Sequence, residues 1–145
     1  MAEIRPLTPA DLPQVLAIER ASFSTPWSQE DFAGALRFPT SFFLAAVEEG
    51  EICGYAGLSF AADEADLVNI AVAPEAHRRG VGSALLKELF CFAKKQGLAR
   101  IFLEVRESNT GARELYARHG FAAVGKRKSY YMEPEEDAIV MVKAC

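Results

Sequence analysis

The segment NIAVAPEAHRRGVGSALL, Asn69 to Leu86, constrains the fold more than any other stretch of the chain. Its first half is an apolar strand stopped by Pro74, and its second half opens an apolar helix. Between them, Arg78 and Arg79 stand directly before Gly80, Val81, Gly82 and Ser83. A strand that turns so quickly into a helix implies helices layered on a sheet, an α/β arrangement. Glycines at 80 and 82 let backbone N–H groups approach an anion, because no Cβ stands in the way. The helix start adds unsatisfied donors and the positive end of the dipole. Arg78 and Arg79 add charge-assisted contacts. The full GxGxxG is absent, and Gly82 rather than lysine precedes Ser83, so dinucleotide and P-loop readings fail. Two readings remain: a phosphate grip of another kind, or a plain strand-to-helix corner.

The rest of the chain supplies the layers. TPADLPQVLAIERASF reads as a helix with Thr8 as cap, Pro9 at its first position, and a face of Leu12, Val15, Leu16 and Phe23. PWSQEDFAGAL reads as a second helix, capped by Ser28 with Asp31 three residues on, and with Phe32 and Leu36 one turn apart. SFFLAAV and ICGYAGLSF form a hairpin around EEGE, and ADLVNIAVAP is the next strand. Gly80 to Gln96 is a helix with Val81, Leu85, Leu89, Phe92 and Ala93 on one side and Gly97 as its stop. RIFLEV is a strand, NTGARELYARHG a helix, and FAAVGKRKSYY and AIVMVKA are two closing strands. With a short N-terminal strand, about seven strands and four helices are predicted, in one mixed α/β domain over residues 1–145.

Half of the 145 residues are hydrophobic and a quarter charged, a balance that supports a buried core and excludes a disordered chain. The net charge of −4 argues against nucleic acid as a direct partner. The basic run Lys126–Arg127–Lys128 reads as a solvated strand edge that blunts pairing. The acidic run at Asp63, Glu64 and Asp66 reads as a solvated turn. Three cysteines (Cys53, Cys91, Cys145) lack CxxC spacing or a histidine cluster, which excludes a zinc site or disulfide framework and fits a reducing compartment. No apolar stretch approaches a membrane span. A cytoplasmic protein is expected, without metal or membrane partner, and a monomer is compatible with the sequence, which does not fix the oligomeric state.

Several side chains invite chemistry. In RIFLEVR, alternation puts Phe102, Glu104 and Arg106 on one face and Leu103 and Val105 on the other. A carboxylate there requires a partner or an upward pKa shift. Glu104 is thus either ion-paired, to Arg106 or another arginine, or shifted upward in pKa. Tyr116 falls on the inward face of its helix and reads by itself as core with a satisfied hydroxyl. Trp27 reads by itself as a core plug, Asn109 as a helix cap, and Tyr130 and Tyr131 as a packed cross-strand pair.

NIAVAPEAHRRGVGSALL resembles the acetyl-CoA-binding motif of the GNAT acetyltransferases, Gln/Arg-x-x-Gly-x-Gly/Ala after a strand, with His77 where the family usually has Gln or Arg. PWS at 26–28, LEVRESN at 103–109, ELYARHGF at 114–121 and the run from Tyr130 to Met141 are similar to its RimI-type branch. That branch acetylates the N-terminal alanine of a small-subunit ribosomal protein. The resemblance implies a GNAT fold with acetyl-CoA held by the loop at His77, Arg78, Arg79, Gly80, Val81, Gly82 and Ser83. It implies an N–H donor from Ile70, Ala71 or Val72 for the acetyl oxygen, and a coenzyme contact from Asn109. Glu104 becomes the base, and Tyr116 the acid that protonates the departing thiolate. Trp27, Tyr130 and Tyr131 flank the acceptor.

The implied reaction is direct attack of a neutral amine on a thioester. Neutralising a peptide α-amine at pH 7 costs about 1.4 kcal/mol, against about 4.6 kcal/mol for a lysine, so one carboxylate base suits an N-terminus better. Acetylation of a lysine or small amine by the same fold is the alternative, and a non-catalytic coenzyme A-binding module a third.

Overall fold

A computed structural model describes residues 2–145. Among these residues the elements run β1 (Glu3–Pro6), α1 (Leu12–Ser22), α2 (Gln29–Arg37), β2 (Ser41–Glu48), β3 (Glu51–Ala61) and β4 (Glu64–Val72), then α3 (Val81–Lys95), β5 (Arg100–Arg106), α4 (Thr110–Arg118), β6 (Ala122–Tyr131) and β7 (Glu136–Ala144). Short 3-10 turns at Pro9–Asp11 and Pro74–Ala76 precede α1 and the Arg/Gly turn. The strands form one sheet in the order β1-β2-β3-β4-β5-β7-β6. Only β4 and β5 run parallel, which makes the sheet mixed, as the sequence predicts.

Two cores flank the sheet. One face packs Phe43, Ala45, Tyr55 and Ala71 under α1 and α2, and the other packs Leu44, Ala46, Ala56 and Leu58 under α3. Those odd and even sets come from the two-residue alternation of a strand. Phe43 to Ala46 are all buried, so this part of β2 reads as an unbroken apolar run rather than an alternating one. In α3, Leu85, Leu86 and Leu89 are fully buried.

Two local expectations change. The expected α1 face of Leu12, Val15, Leu16 and Phe23 ends differently: the helix stops at Ser22, and Phe23 is extended and exposed. Its last inward position, one turn after Val15 and Leu16, is Glu19, which is 2% exposed. At Thr8 the cap works in reverse, because Asp11 Oδ2 accepts from the Thr8 N–H at 2.8 Å and from its hydroxyl at 3.1 Å. Ser28 caps as predicted, accepting from the Asp31 N–H at 3.1 Å while Asp31 accepts from the Ser28 N–H at 2.9 Å.

Candidate active site

Strands β4 and β5 pair only at their starts, Glu64–Asp66 against Arg100–Phe102. Beyond that point β4 keeps its ladder with β3 up to Val72 but has none with β5, which leaves a wedge between the two strands. The Ala73 N–H bonds to Cys53 O at 2.8 Å on the β3 side. Strand alternation then aims Ala71 at β3 and turns the N–H groups of Ile70 and Val72 toward the wedge.

The Arg/Gly turn follows the end of β4. Arg78 (φ +65°) and Gly80 (φ +78°) are both left-handed, a conformation that costs an arginine about 1–2 kcal/mol and a glycine little. Such turns aim successive N–H groups at one point and form anion-binding concavities. The Ala84 N–H bonds to Gly80 O at 3.0 Å, so the N–H groups of Val81, Gly82 and Ser83 lack a partner within α3. A Cβ on Gly82 would stand 3.3 Å from Leu115 Cδ2, so this glycine also sets how closely α4 approaches α3.

The side chains of this loop divide. His77 Nε2 lies 2.9 Å from Val72 O, and because a carbonyl only accepts, the ring donates from Nε2. It therefore ties the turn back to the strand. Arg79 donates to Glu48 Oε1 at 3.3 Å and to Glu75 O at 3.0 Å, so of the two arginines in this loop Arg78 is the one without an ion pair to the described residues. Ser83 Oγ lies 2.8 Å from His119 Nε2, joining the start of α3 to the end of α4. Burial lowers the His119 pKa, and Lys87, Arg118 and Lys143 lower it further.

The Glu104 carboxylate is 28% exposed, and its Oε2 accepts from Arg127 Nε at 3.0 Å. The partner required by its place in the strand is thus an arginine two strands away, and Arg106 pairs with Glu136 instead. The Tyr116 side chain is buried, packed edge-on to Phe121 at 5.8 Å. Burial, with the field of Tyr131, raises the Tyr116 pKa, and no protein hydrogen bond contributes. Tyr131 is pushed up to about 12, first by burial and then by Tyr130 and Glu104. Tyr131 therefore lies within electrostatic reach of both Tyr116 and Glu104.

Asn109 caps α4, its Oδ1 accepting from the Ala112 N–H at 3.2 Å. Trp27 packs against Phe32 and Phe43 at 5.0 and 6.4 Å, and also walls a groove of about 660 Å³ beside α2 with Phe38 and Val68. Its packing reading is thus observed. That groove contains neither Glu104 nor Tyr116, so it lies apart from the candidate chemistry. Tyr130 and Tyr131 meet edge-to-face at 5.0 Å, with Arg127 and Arg106 against their rings.

One cluster escapes a reading of the sequence. Buried Glu19 accepts from the Tyr55 hydroxyl, from Asn69 Nδ2 at 3.0 Å, and from the Trp27 backbone N–H at 2.9 Å. It ties the Trp27 loop to β3 and to β4 at the residue before Ile70. Asn69 Oδ1 is buried without a partner among the described residues. The detectable signal is a glutamate continuing the apolar spacing of Leu12, Val15 and Leu16. Glu64, in the acidic run read as solvated, bonds to Arg100 at 2.8 Å.

A profile of the Acetyltransferase (GNAT) family matches residues 12–121. The [ribosomal protein bS18]-alanine N-acetyltransferase of Escherichia coli is 37% identical over 143 residues, covering 97% of this chain and 96% of that one. The crystal structure of the Escherichia coli ribosomal-protein-S18-alanine N-acetyltransferase superposes with a TM-score of 0.92 at 36% identity, covering 99% and 94% of the two chains. Ard1 from Thermoplasma volcanium superposes with a TM-score of 0.92 at 27% identity, covering 99% and 97%.

Proposed function

The chain belongs to the GNAT acetyltransferase family and is an N-acetyltransferase, and we propose that its acceptor is the N-terminal amine, of alanine, on a small-subunit ribosomal protein. The observation that carries this reading is likeness along nearly the whole chain, acceptor-flanking segments included, to an enzyme named for that reaction. The cost of neutralising the amine agrees, since a single carboxylate base is better matched to an α-amine than to lysine.

Acetyl-CoA supplies the thioester and the thiol leaving group. The chain offers a fitting cradle: free N–H groups of Val81, Gly82 and Ser83 at a helix start, with unpaired Arg78 beside them, suit a pyrophosphate. His77 shapes this loop through Val72 O, and Arg79 braces it against Glu48. The N–H groups of Ile70 and Val72 are the donors available to a carbonyl oxygen in the wedge. Glu104 takes the amine proton at Oε1, the oxygen Arg127 leaves free, directly or through a water. Tyr116, kept protonated by burial, gives its hydroxyl proton to the departing sulfur. Asn109 orders the start of α4 beside the coenzyme, and Trp27, Tyr130 and Tyr131 flank the acceptor. Residues 1–145 act as one domain in the cytoplasm.

The test is to incubate the protein with acetyl-CoA and short peptides beginning Ala, Ser or Met, plus an Nα-blocked lysine peptide, and to locate the acetyl group by mass. Acetylation of the Ala peptide at its N-terminus is expected. Transfer only to the lysine ε-amine overturns the reading, and coenzyme binding with no transfer to any amine favours a binding module.

A further inference from the structure

Arg106 lies two residues beyond Glu104 on the same face of β5, and its guanidinium joins segments that are distant in sequence. One terminal nitrogen donates to Pro134 O at 2.9 Å and to Glu136 Oε1 at 3.2 Å. The other donates to Met132 O at 3.0 Å and to Ser24 Oγ at 3.3 Å. Its Cζ sits 4.5 Å from the centroid of the Tyr131 ring. Glu136 in turn accepts from the Ser108 N–H at 2.6 Å, next to the α4 cap. Ser24 belongs to the α1–α2 connection that carries Trp27, and Met132 and Pro134 belong to the β6–β7 turn that follows Tyr130 and Tyr131.

We infer that Arg106 is a positioning residue that holds these two segments at one separation and thereby sets how tightly the acceptor peptide binds. The inference rests on the proposed reading that an N-terminal segment of a protein passes between them. A planar guanidinium can serve two carbonyls, a carboxylate and a hydroxyl at once because its N–H groups form a fixed fork. A lysine ammonium has three donors on a flexible stem, and a neutral amide has fewer. Either replacement frees at least one segment, and the peptide must then order it on binding. The loop at 77–83 touches none of these atoms, and Glu136 keeps its bond from the Ser108 N–H when Arg106 is replaced, so the effect is expected on the acceptor rather than on the coenzyme.

The test pairs Arg106→Gln and Arg106→Lys with steady-state kinetics on an alanine-terminated peptide and with amide hydrogen exchange. About a tenfold rise in peptide KM is expected in both variants, with the acetyl-CoA KM unchanged. Exchange in segments 23–28 and 132–136 should accelerate together, while the start of α3 stays as in the wild type. Ser24→Ala should accelerate only the first segment. Unchanged exchange in either segment of Arg106→Gln overturns the inference, as does a wild-type peptide KM in Arg106→Lys. If the wild-type protein acetylates no N-terminal peptide, the proposed acceptor fails, and the exchange measurement still decides the clamp.

Discussion

Arg127 reaches from the edge strand β6 across β7 to donate its Nε–H to Glu104 Oε2 at 3.0 Å. The candidate base is thus held on one oxygen by a cation from the far side of the sheet, and its second oxygen is left for the acceptor. Glu104→Gln is expected to lower kcat about a hundredfold and to flatten the acidic limb of the pH–rate profile. Arg127→Gln should lower kcat less than tenfold and leave the melting temperature nearly unchanged, because exposed ion pairs contribute ~0–1 kcal/mol. Wild-type kcat in Glu104→Gln rules out its role as base.

The Tyr116 hydroxyl has no hydrogen bond contributing to its raised pKa, so its removal should cost little stability. Tyr116→Phe is expected to lower kcat about a hundredfold while the acetyl-CoA KM and unfolding free energy stay near wild type. A destabilised variant with unchanged kcat would make Tyr116 a core residue only.

The His77 ring closes the Arg/Gly turn onto Val72 O. A glutamine amide can make the same donation, so His77→Gln should keep the coenzyme Kd within about threefold, whereas His77→Ala should raise it about tenfold. Isothermal titration with coenzyme A checks both values. Equal Kd for wild type and His77→Ala would show that the loop holds its shape without the ring.

Asp11 is held at a pKa of about 2, chiefly by its hydrogen bonds with Arg5 and against the upward push of burial. A carboxyl whose folded-state pKa is depressed adds stability above its unfolded value near 3.8, and that stability fades as pH falls through about 2. Arg5 is about a third exposed, so solvent screening reduces the contribution to ~1 kcal/mol. Urea unfolding of wild type and Asp11→Asn should therefore differ at pH 6 and converge near pH 2. A constant difference across that range would remove the ion pair as its source.

Tyr55 is fully buried and donates to Glu19, so Tyr55→Phe leaves a buried carboxylate with one donor fewer. A loss of ~1–3 kcal/mol in unfolding free energy is expected, with the acetyl-CoA KM unchanged. No loss would mean that Asn69 and the Trp27 N–H satisfy Glu19 alone.

The order of elements, the two helix starts after Thr8 and Ser28, and the Arg/Gly turn were all legible, because each rests on local periodicity or on chemistry within four residues. Glu19 is not legible as a core residue because the apolar pattern of α1 extends in the sequence to Phe23, whereas the helix ends first and the glutamate completes the inward face. Of the roles weighed for Trp27 and Asn109, the structure shows the local ones, packing against Phe32 and capping of α4, because those rest on near neighbours in the chain.

The sequence by itself determined a mixed α/β layer protein, the position of its Arg/Gly turn, and Glu104 and Tyr116 as candidate residues. Short-range forces act through sequence neighbours, so the chain records them directly. Only the tertiary structure decided which partners those residues have. The strand order β5-β7-β6 brings Arg127 to Glu104, and the packing of α1 on β3 and β4 gives Glu19 two of its three donors, Tyr55 and Asn69. A single guanidinium at Arg106 spans two loops. Each of those contacts joins residues far apart in the chain, where loop closure and sheet order rather than local propensity set the distance.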